Sequence, residues 1–232
     1  MKKRTFILSL VLSLALVFSA FTSVFAAAPA TEATKAAIEK SGIQCTQKIK
    51  NEVDAEKIAK MLNDEVTDGG YKLIDTADLS AAVKSNKKMV IIDTMPESWW
   101  AQRHIPGAIC QIVGAMDSDN RFPIKPEEKS ELLKKAKAAV GTKTVTKWYN
   151  KKTKKWTTKK PAKKYRGKSK KVKVVNKDKM IVVYCGFVGC ARSHEGAKFL
   201  VENGYTNVYR YAGGISAWVD GNNDIEGTDV AQ

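Results

Sequence analysis

The chain has 232 residues, with 40 Lys and Arg against 24 Asp and Glu, and its formal charge is +16. Apolar residues make up 44% of the sequence and charged residues 28%, which is close to the averages of globular proteins and excludes wholesale disorder. The four cysteines are too few for a disulfide scaffold in a chain of this length. These values predict one medium-sized domain or two small ones.

The first 26 residues have the pattern of a secretory signal peptide. Basic residues at positions 2–4 precede an apolar run over 6–21, and small residues at 24–26 form a cleavage pattern. An uncleaved membrane anchor is the alternative, although the apolar run is short for a bilayer span. We therefore expect an exported protein (periplasmic, cell-wall-associated or secreted) with no transmembrane span in its mature form.

Residues 27–70 are predicted to form a helical N-terminal extension, because apolar side chains recur at helical spacing until Gly69 and Gly70. Short apolar segments then alternate with helical ones through residues 71–232. The predicted strands are 72–74, 89–92 ending at Asp93, 180–184 and 207–211, and the predicted helices are 77–84 with Thr76 as N-cap, 126–140 and 193–203, with a short helix after Gly214. This alternation predicts an α/β fold with a central parallel sheet flanked by helices.

The whole excess of positive charge lies in residues 142–179, which contain 17 Lys and Arg and one Asp. Alternating character over 144–149 and 154–158, with a turn at 150–153, predicts a β-hairpin, and 171–175 is a candidate third strand. We interpret this stretch as a Lys-rich insert in the domain. For an exported protein, anionic cell-wall polymer or lipid headgroups are the favoured partners over nucleic acid, and a merely solvated insert is the alternative.

The segment that follows the predicted strand 180–184 carries the candidate chemistry. Cys185 lies at the carboxyl end of a buried parallel strand, before a glycine-containing loop and a helix, where α/β sheets usually bind ligands. We expect loop amides, the helix N-terminus and Arg192 to favour the nucleophilic thiolate of Cys185 and to bind an anion. A buried structural cysteine is the alternative. The predicted substrate-binding loop consists of Gly186, Phe187, Val188, Gly189, Cys190 and Ala191.

Cys190 has two interpretations. It can resolve a persulfide or sulfenate on Cys185 by forming a disulfide, or it can serve only to shape the pocket. Together with His194 the two cysteines have the spacing of metal ligands, but no fourth ligand is near in the sequence. We therefore expect no metal and no other cofactor. Cys110 follows an apolar segment and is interpreted as a small core residue.

Three segments, in order along the chain, resemble the rhodanese-like sulfurtransferases. They are residues 103–109 after the strand that ends at Asp93, residues 181–185 with the following loop, and residues 211–218 around Gly213 and Gly214. The resemblance implies one rhodanese-like domain and a catalytic Cys185, which accepts sulfane sulfur from a donor such as thiosulfate or polysulfide. It also implies that Cys185 holds this sulfur as a persulfide and passes it to a thiophilic acceptor. Asp93, His104, Gly213 and Gly214 are expected to support the site structurally.

Two features depart from the family pattern. Six residues separate Cys185 from Arg192, whereas the usual rhodanese loop has four and the related phosphatases and arsenate reductases of this fold have five. Many family members also have an arginine two residues after the strand-end aspartate, where this chain has Met95. A phosphatase or arsenate reductase on the same fold therefore stays open as an alternative. So does a non-catalytic module that binds anions or the cell wall.

Overall fold

A parallel sheet of five short strands forms the centre of the protein. The computed structural model describes residues 51–115 and 122–230. The strands are β1 (Lys72–Leu73), β2 (Val90–Asp93), β3 (Ile109–Cys110), β4 (Thr142–Asn150), β5 (Lys155–Thr157), β6 (Arg166–Val175), β7 (Ile181–Tyr184) and β8 (Val208–Tyr211). The central sheet has the order β1-β8-β7-β2-β3 with every pair parallel, which confirms the predicted fold class.

Helices cover both faces of this sheet. They are α1 (Glu52–Gly69), α2 (Thr76–Lys84), α3 (Glu97–Gln102), α4 (Pro126–Val140), α5 (Arg192–Glu202) and α6 (Gly214–Asp220). Single 3₁₀ turns span Lys163–Tyr165 and Thr228–Val230. The predicted N-cap of α2 is wrong by one residue. The carboxylate of Asp75, not the hydroxyl of Thr76, accepts the Asp78 amide at 2.7 Å and satisfies a free donor of the first turn.

Two apolar cores lie on opposite faces of the sheet, because the strands β2 and β7 are buried on both sides and consist of apolar and β-branched residues. Side chains of Ile92 and Val183 face α4 and α5, where they pack near Leu132 and Leu200. The alternate side chains of these strands pack on the other face. That second core contains Leu79 of α2 and Trp218 of α6, together with Ile91, Val182, Tyr184 and Tyr211.

Residues 142–175 form a second, antiparallel sheet with the strand order β5-β4-β6, here called the basic sheet. The strands β4 and β5 pair as the predicted hairpin, with Tyr149 opposite Trp156. The third strand is longer than predicted, because β6 begins at Arg166 and pairs with β4 over most of its length.

Several sequence predictions fall outside the described residues. These are the signal peptide at 1–26 and the extension as far as residue 50, which includes the fourth cysteine, Cys45. The helix α1 lies in the predicted extension, and near its end Val66 packs against the core that contains Leu200. No helix in residues 51–115 or 122–230 has the length and apolar character needed to cross a bilayer.

Candidate active site

The loop between β7 and α5 lies at the carboxyl edge of the central sheet. Cys185 directly follows Tyr184, the last residue of β7, and Arg192 begins α5. The strand β7 lies between β8 and β2 in the middle of the sheet, so Cys185 sits at a central position on this edge. Its side chain and backbone have no solvent-exposed surface.

The Cys185 sulfur faces groups that accept hydrogen bonds. Its Sγ lies 3.1 Å from the carbonyl oxygen of Cys190 and 3.9 Å from that of Phe187. Carbonyl oxygens only accept, so Cys185 is a thiol beside them, and its single proton serves one acceptor at a time. The Ser193 hydroxyl lies 3.2 Å from the same sulfur. Burial, reinforced by the neighbouring Cys190, raises the pKa of Cys185 well above its ordinary value. The stabilisation of a Cys185 thiolate therefore stays a prediction.

The Ser193 amide faces Cys185, and other backbone amides face Cys190. Its sulfur accepts a hydrogen bond from the Cys185 thiol and from the amides of Arg192 and Gly186, and these bonds hold the pKa of Cys190 below its ordinary value. Residues 186–190 turn back on themselves, since the Cys190 amide donates to the Phe187 carbonyl at 3.0 Å. The longer loop thus places a second thiol among backbone amides.

Arg192 acts on Cys190 rather than on Cys185. Its positive charge contributes to the lowered pKa of the Cys190 thiol. The guanidinium carbon lies 5.1 Å from the centre of the Phe122 ring, and the buried Nε has no hydrogen-bond partner among the described residues. This donor is therefore available to an anion bound beside Cys190.

Arg210 is a site residue that sequence analysis missed. Its side chain is completely buried on β8, where Nε donates to Ser193 Oγ at 3.0 Å. Its Nη2 donates to the carbonyl oxygens of Cys190 at 3.2 Å and Val188 at 3.4 Å. The carboxylate of Glu65 in α1 pairs with Nη1. The signal in the sequence was an arginine within a short internal strand. Such a guanidinium is buried, and a buried guanidinium requires an acidic partner.

The turn into α6 supports the base of the loop. The amides of Ile215 and Ser216 donate to the carbonyl oxygens of Cys185 at 2.9 Å and of Gly186 at 3.0 Å. Gly214 has a φ of +64°, and a Cβ there would overlap the backbone of Cys185 and Gly186. Gly213 has an ordinary helical backbone, with a φ of −58°, so it contributes space rather than an unusual conformation.

Asp93 and His104 have contacts of a structural kind. Asp93 is buried at the end of β2 and accepts the Met95 amide at 2.8 Å, and burial raises the pKa of its carboxyl to about 6. His104 stacks on Trp100, and its Nδ1 lies 2.7 Å from the Trp100 carbonyl oxygen. Its backbone also forms two hydrogen bonds with Glu226.

His194 does not join the two thiols. Its Nδ1 lies 2.8 Å from the Tyr71 hydroxyl, and its Nε2 lies 3.2 Å from a carboxylate oxygen of Asp68. Both ring nitrogens are thus engaged, one by Asp68 of α1 and one by Tyr71, two residues after the end of that helix. Within the described ranges there is no group of three His, Cys, Asp or Glu side chains placed to hold a metal ion. The three described cysteines, Cys110, Cys185 and Cys190, are free thiols.

Comparison with known proteins matches residues 75–220 to the family model described as Rhodanese-like domain. Comparison with curated proteins gives no match. Among solved structures, thiosulfate sulfurtransferase from Pseudomonas aeruginosa is 15% identical with a TM-score of 0.43, over 70% of this chain and 21% of that chain. The polysulfide-sulfur transferase homodimer from Wolinella succinogenes is 12% identical with a TM-score of 0.41, over 75% of this chain and 90% of that one.

A third structure is a Rhodopseudomonas palustris protein of unknown function described as a possible tyrosine phosphatase. It is 20% identical with a TM-score of 0.39, over 79% of this chain and 100% of that chain.

Proposed function

The chain belongs to the rhodanese-like domain family, and we propose that it is a sulfurtransferase in which Cys190 and Cys185 together handle the transferred sulfur. One observation carries this proposal: both thiols lie in one loop at the carboxyl edge of the sheet, where Cys185 Sγ is 3.1 Å from the Cys190 carbonyl oxygen, and hydrogen bonds hold the pKa of Cys190 below its ordinary value. A thiolate held in this way is the nucleophile that sulfur transfer requires.

In the first step the Cys190 thiolate attacks the sulfane sulfur of thiosulfate. A new S–S bond forms on Cys190, the S–S bond of thiosulfate breaks, and sulfite leaves with the electron pair. The product is a Cys190 persulfide, whose terminal sulfur carries the negative charge. A polysulfide reacts in the same way and leaves as a chain shortened by one sulfur. The Nε of Arg192, which has no hydrogen-bond partner in the described part of the chain, supplies a donor for the thiosulfate or polysulfide anion or for the leaving group.

In the second step a thiophilic acceptor attacks the terminal sulfur. With cyanide the products are thiocyanate and the Cys190 thiolate, so the enzyme returns to its starting state without a change in net oxidation. The amides of Gly186 and Arg192 face the Cys190 sulfur in the starting state, which stabilises the thiolate as the leaving group.

Cys185 gives the site a second outcome. Its thiol can attack the inner sulfur of the Cys190 persulfide, which forms a Cys185–Cys190 disulfide and releases hydrosulfide. Two external thiols, or one dithiol, then supply the two electrons that restore the free thiols and leave as a disulfide. The pair thus takes the two roles that sequence analysis gave to Cys185 and Cys190, with the residues exchanged.

We propose export for the same protein, on the basis of the signal-like pattern of residues 1–26. The test is fractionation of cells that produce the full chain, followed by N-terminal sequencing. An extracytoplasmic protein that begins at Ala27 would support export. A cytoplasmic protein that retains residues 1–26 would contradict it.

Sulfur transfer is tested with the purified protein, thiosulfate or polysulfide as donor, and cyanide as acceptor. We expect thiocyanate to form and, without cyanide, the protein mass to rise by one sulfur atom on Cys190. The Cys190→Ser variant should lose both signals. Cys185→Ser should retain the adduct, and Cys110→Ser, a free thiol outside the loop, is the matched control with wild-type turnover.

Two results would change this proposal. Transfer that survives in Cys190→Ser but not in Cys185→Ser would place the persulfide on Cys185. Wild-type protein that forms neither thiocyanate nor a sulfur adduct with either donor would exclude a sulfurtransferase. Turnover of an aryl phosphate or arsenate would then identify the phosphatase or arsenate reductase alternative. A function that is intact in Cys185→Ser and Cys190→Ser would identify a non-catalytic module.

A further inference from the structure

The basic sheet carries an extreme concentration of positive charge. Residues 142–175 contain 15 Lys and Arg and no Asp or Glu. The nearest acidic residue along the chain, Asp178, is already paired with Lys143 at 2.5 Å. The sheet also pairs Lys147 directly opposite Lys170, on one face of the strands β4 and β6. Like charges in opposed positions destabilise a sheet, so this pairing favours an anionic partner.

A groove continues this basic face beside the turn between β4 and β5. It has a volume of about 640 Å³, and its lining includes Lys155, Lys159, Lys160 and Trp156. The ammonium group of Lys170 lies 4.3 Å from the centre of the Trp156 ring, so the groove adjoins the Lys147–Lys170 pair. The strand β4 has nine residues and is about 30 Å long, which suits an extended chain of charges better than one small anion.

Three of the four aromatic side chains of the basic sheet are already covered by cations, and the fourth, Tyr149, packs on Trp156. Lys160 and Arg166 lie 5.3 Å and 5.7 Å from the centre of the Trp148 ring. Lys152 and Lys164 lie 5.5 Å and 4.9 Å from that of Tyr165. Trp156 contacts Lys170 on one side and the ring of Tyr149 at 5.7 Å. These contacts orient each ring toward neighbouring side chains of the sheet.

This covering disfavours two classes of partner. Binding of single-stranded nucleic acid depends on aromatic faces on which bases stack. Insertion into a membrane interface depends on exposed apolar side chains. Among the described residues, the large apolar side chains that are exposed include Trp99 and Phe187, and none lies in the basic sheet.

We propose that the basic sheet binds a linear anionic polymer that lacks aromatic groups, with the chemistry of a cell-wall polyphosphodiester. The lysine ammonium groups contact successive phosphates along the polymer and release its counterions. This binding is independent of the sulfur chemistry, because no residue of the basic sheet contacts Cys185 or Cys190 among the hydrogen bonds and ion pairs of the described site.

The test uses the full-length protein and purified poly(glycerol phosphate) as the probe, with binding measured by calorimetry over a range of salt concentrations. The test variant is Lys147→Gln with Lys155→Gln and Lys159→Gln, which leaves every cation–aromatic contact in place. The matched control is Lys84→Gln with Lys87→Gln and Lys88→Gln, which removes equal charge from exposed positions at and after the end of α2. Single-stranded DNA with the same number of phosphates and vesicles of anionic phospholipid are the competing probes.

We expect wild-type binding to weaken steeply with salt, and the test variant to bind at least about tenfold more weakly. The control variant should bind like the wild type. Both variants should retain thiocyanate formation, which separates this result from a failure of the proposed activity. Equal binding by the test variant and the wild type would overturn the proposal. Tighter binding to DNA or to vesicles than to the polymer would also overturn it.

A second measurement shows whether the test variant is folded. Thermal unfolding should show that the test variant is no less stable, since it removes the Lys147–Lys170 repulsion. In the wild-type protein, the polymer should shield Lys147, Lys155 and Lys159 from an amine-reactive reagent, while Lys84 stays reactive. Unchanged labelling of the three lysines at saturating polymer would overturn the proposal without any variant.

Discussion

Arg210 Nη2 donates a hydrogen bond to the carbonyl oxygen of Cys190 at 3.2 Å, from a side chain with no solvent exposure. The two residues belong to different elements, β8 and the loop before α5. Because the same guanidinium also binds Ser193 and Glu65, it links the loop to α5 and to α1. Arg210 is therefore a positioning residue that holds the backbone of Cys190 while the loop amides face its sulfur.

Variants of Arg210 should distinguish its effect on the stability of the protein from its effect on the reactivity of Cys190. Arg210→Met leaves Glu65 without its partner and should lower the free energy of unfolding by about 3–5 kcal/mol. Adding Glu65→Met should restore much of that stability, because no uncompensated charge is left. In the double variant, the pH at which half of Cys190 is alkylated should nevertheless stay above the wild-type value, because the loop has lost its hydrogen bonds to Arg210. Denaturant titration and alkylation profiles check both expectations, and a wild-type alkylation profile would show that Arg210 is purely structural.

The thiols should differ in reactivity near neutral pH. Iodoacetamide should modify Cys190 faster than Cys185 or Cys110, because Cys190 has a lowered pKa while burial raises the pKa of the other two. Peptide mass mapping after short exposure gives the order. Arg192→Gln should move Cys190 alkylation to higher pH, and Arg192→Lys should move it less because the charge is kept. Faster modification of Cys185 in the wild type would contradict this assignment.

Gly214→Ala should disrupt the loop. The added methyl group overlaps the backbone of Cys185 and Gly186, and the φ of +64° is itself unfavourable for alanine. Gly141→Ala is the matched control, because Gly141 has a φ of +67° and open space around the added carbon. We expect both variants to be destabilised, with sulfur transfer lost only in Gly214→Ala. Equal activities, measured as thiocyanate formation, would show that the overlap is relieved elsewhere.

Asp93 should make the protein less stable as the pH rises from about 4 to about 6. Burial raises its pKa in the folded protein to about 6, so the folded state binds a proton more tightly than the unfolded state does. Over this interval the free energy of unfolding should fall by about 3 kcal/mol, and it should stay at the lower value at higher pH.

The Asp93→Asn variant isolates this effect, because asparagine can still accept the Met95 amide but does not ionise. Urea titrations across the pH range should show that the wild type loses stability relative to the variant between pH 4 and 6. Parallel profiles for the two proteins would rule out ionisation of Asp93 as the cause.

The sequence alone determined the alternation of strands and helices and the position of Cys185 at the end of β7. These features depend on local patterns, since a strand buried on both faces is continuously apolar and a helix end carries its own signals. The β4–β5 hairpin was predictable for the same reason, because its alternation and turn lie within one short segment.

Only the tertiary structure decided which groups surround each thiol of the loop. These surroundings depend on how residues 186–191 fold, and on Arg210 and Glu65, which are distant from each other in the sequence but paired in space. Burial has the same non-local character, because the exposure of Cys185 depends on the loop and on α6 packed beside it. The sequence placed two cysteines in one loop, and packing decided which groups surround each of them.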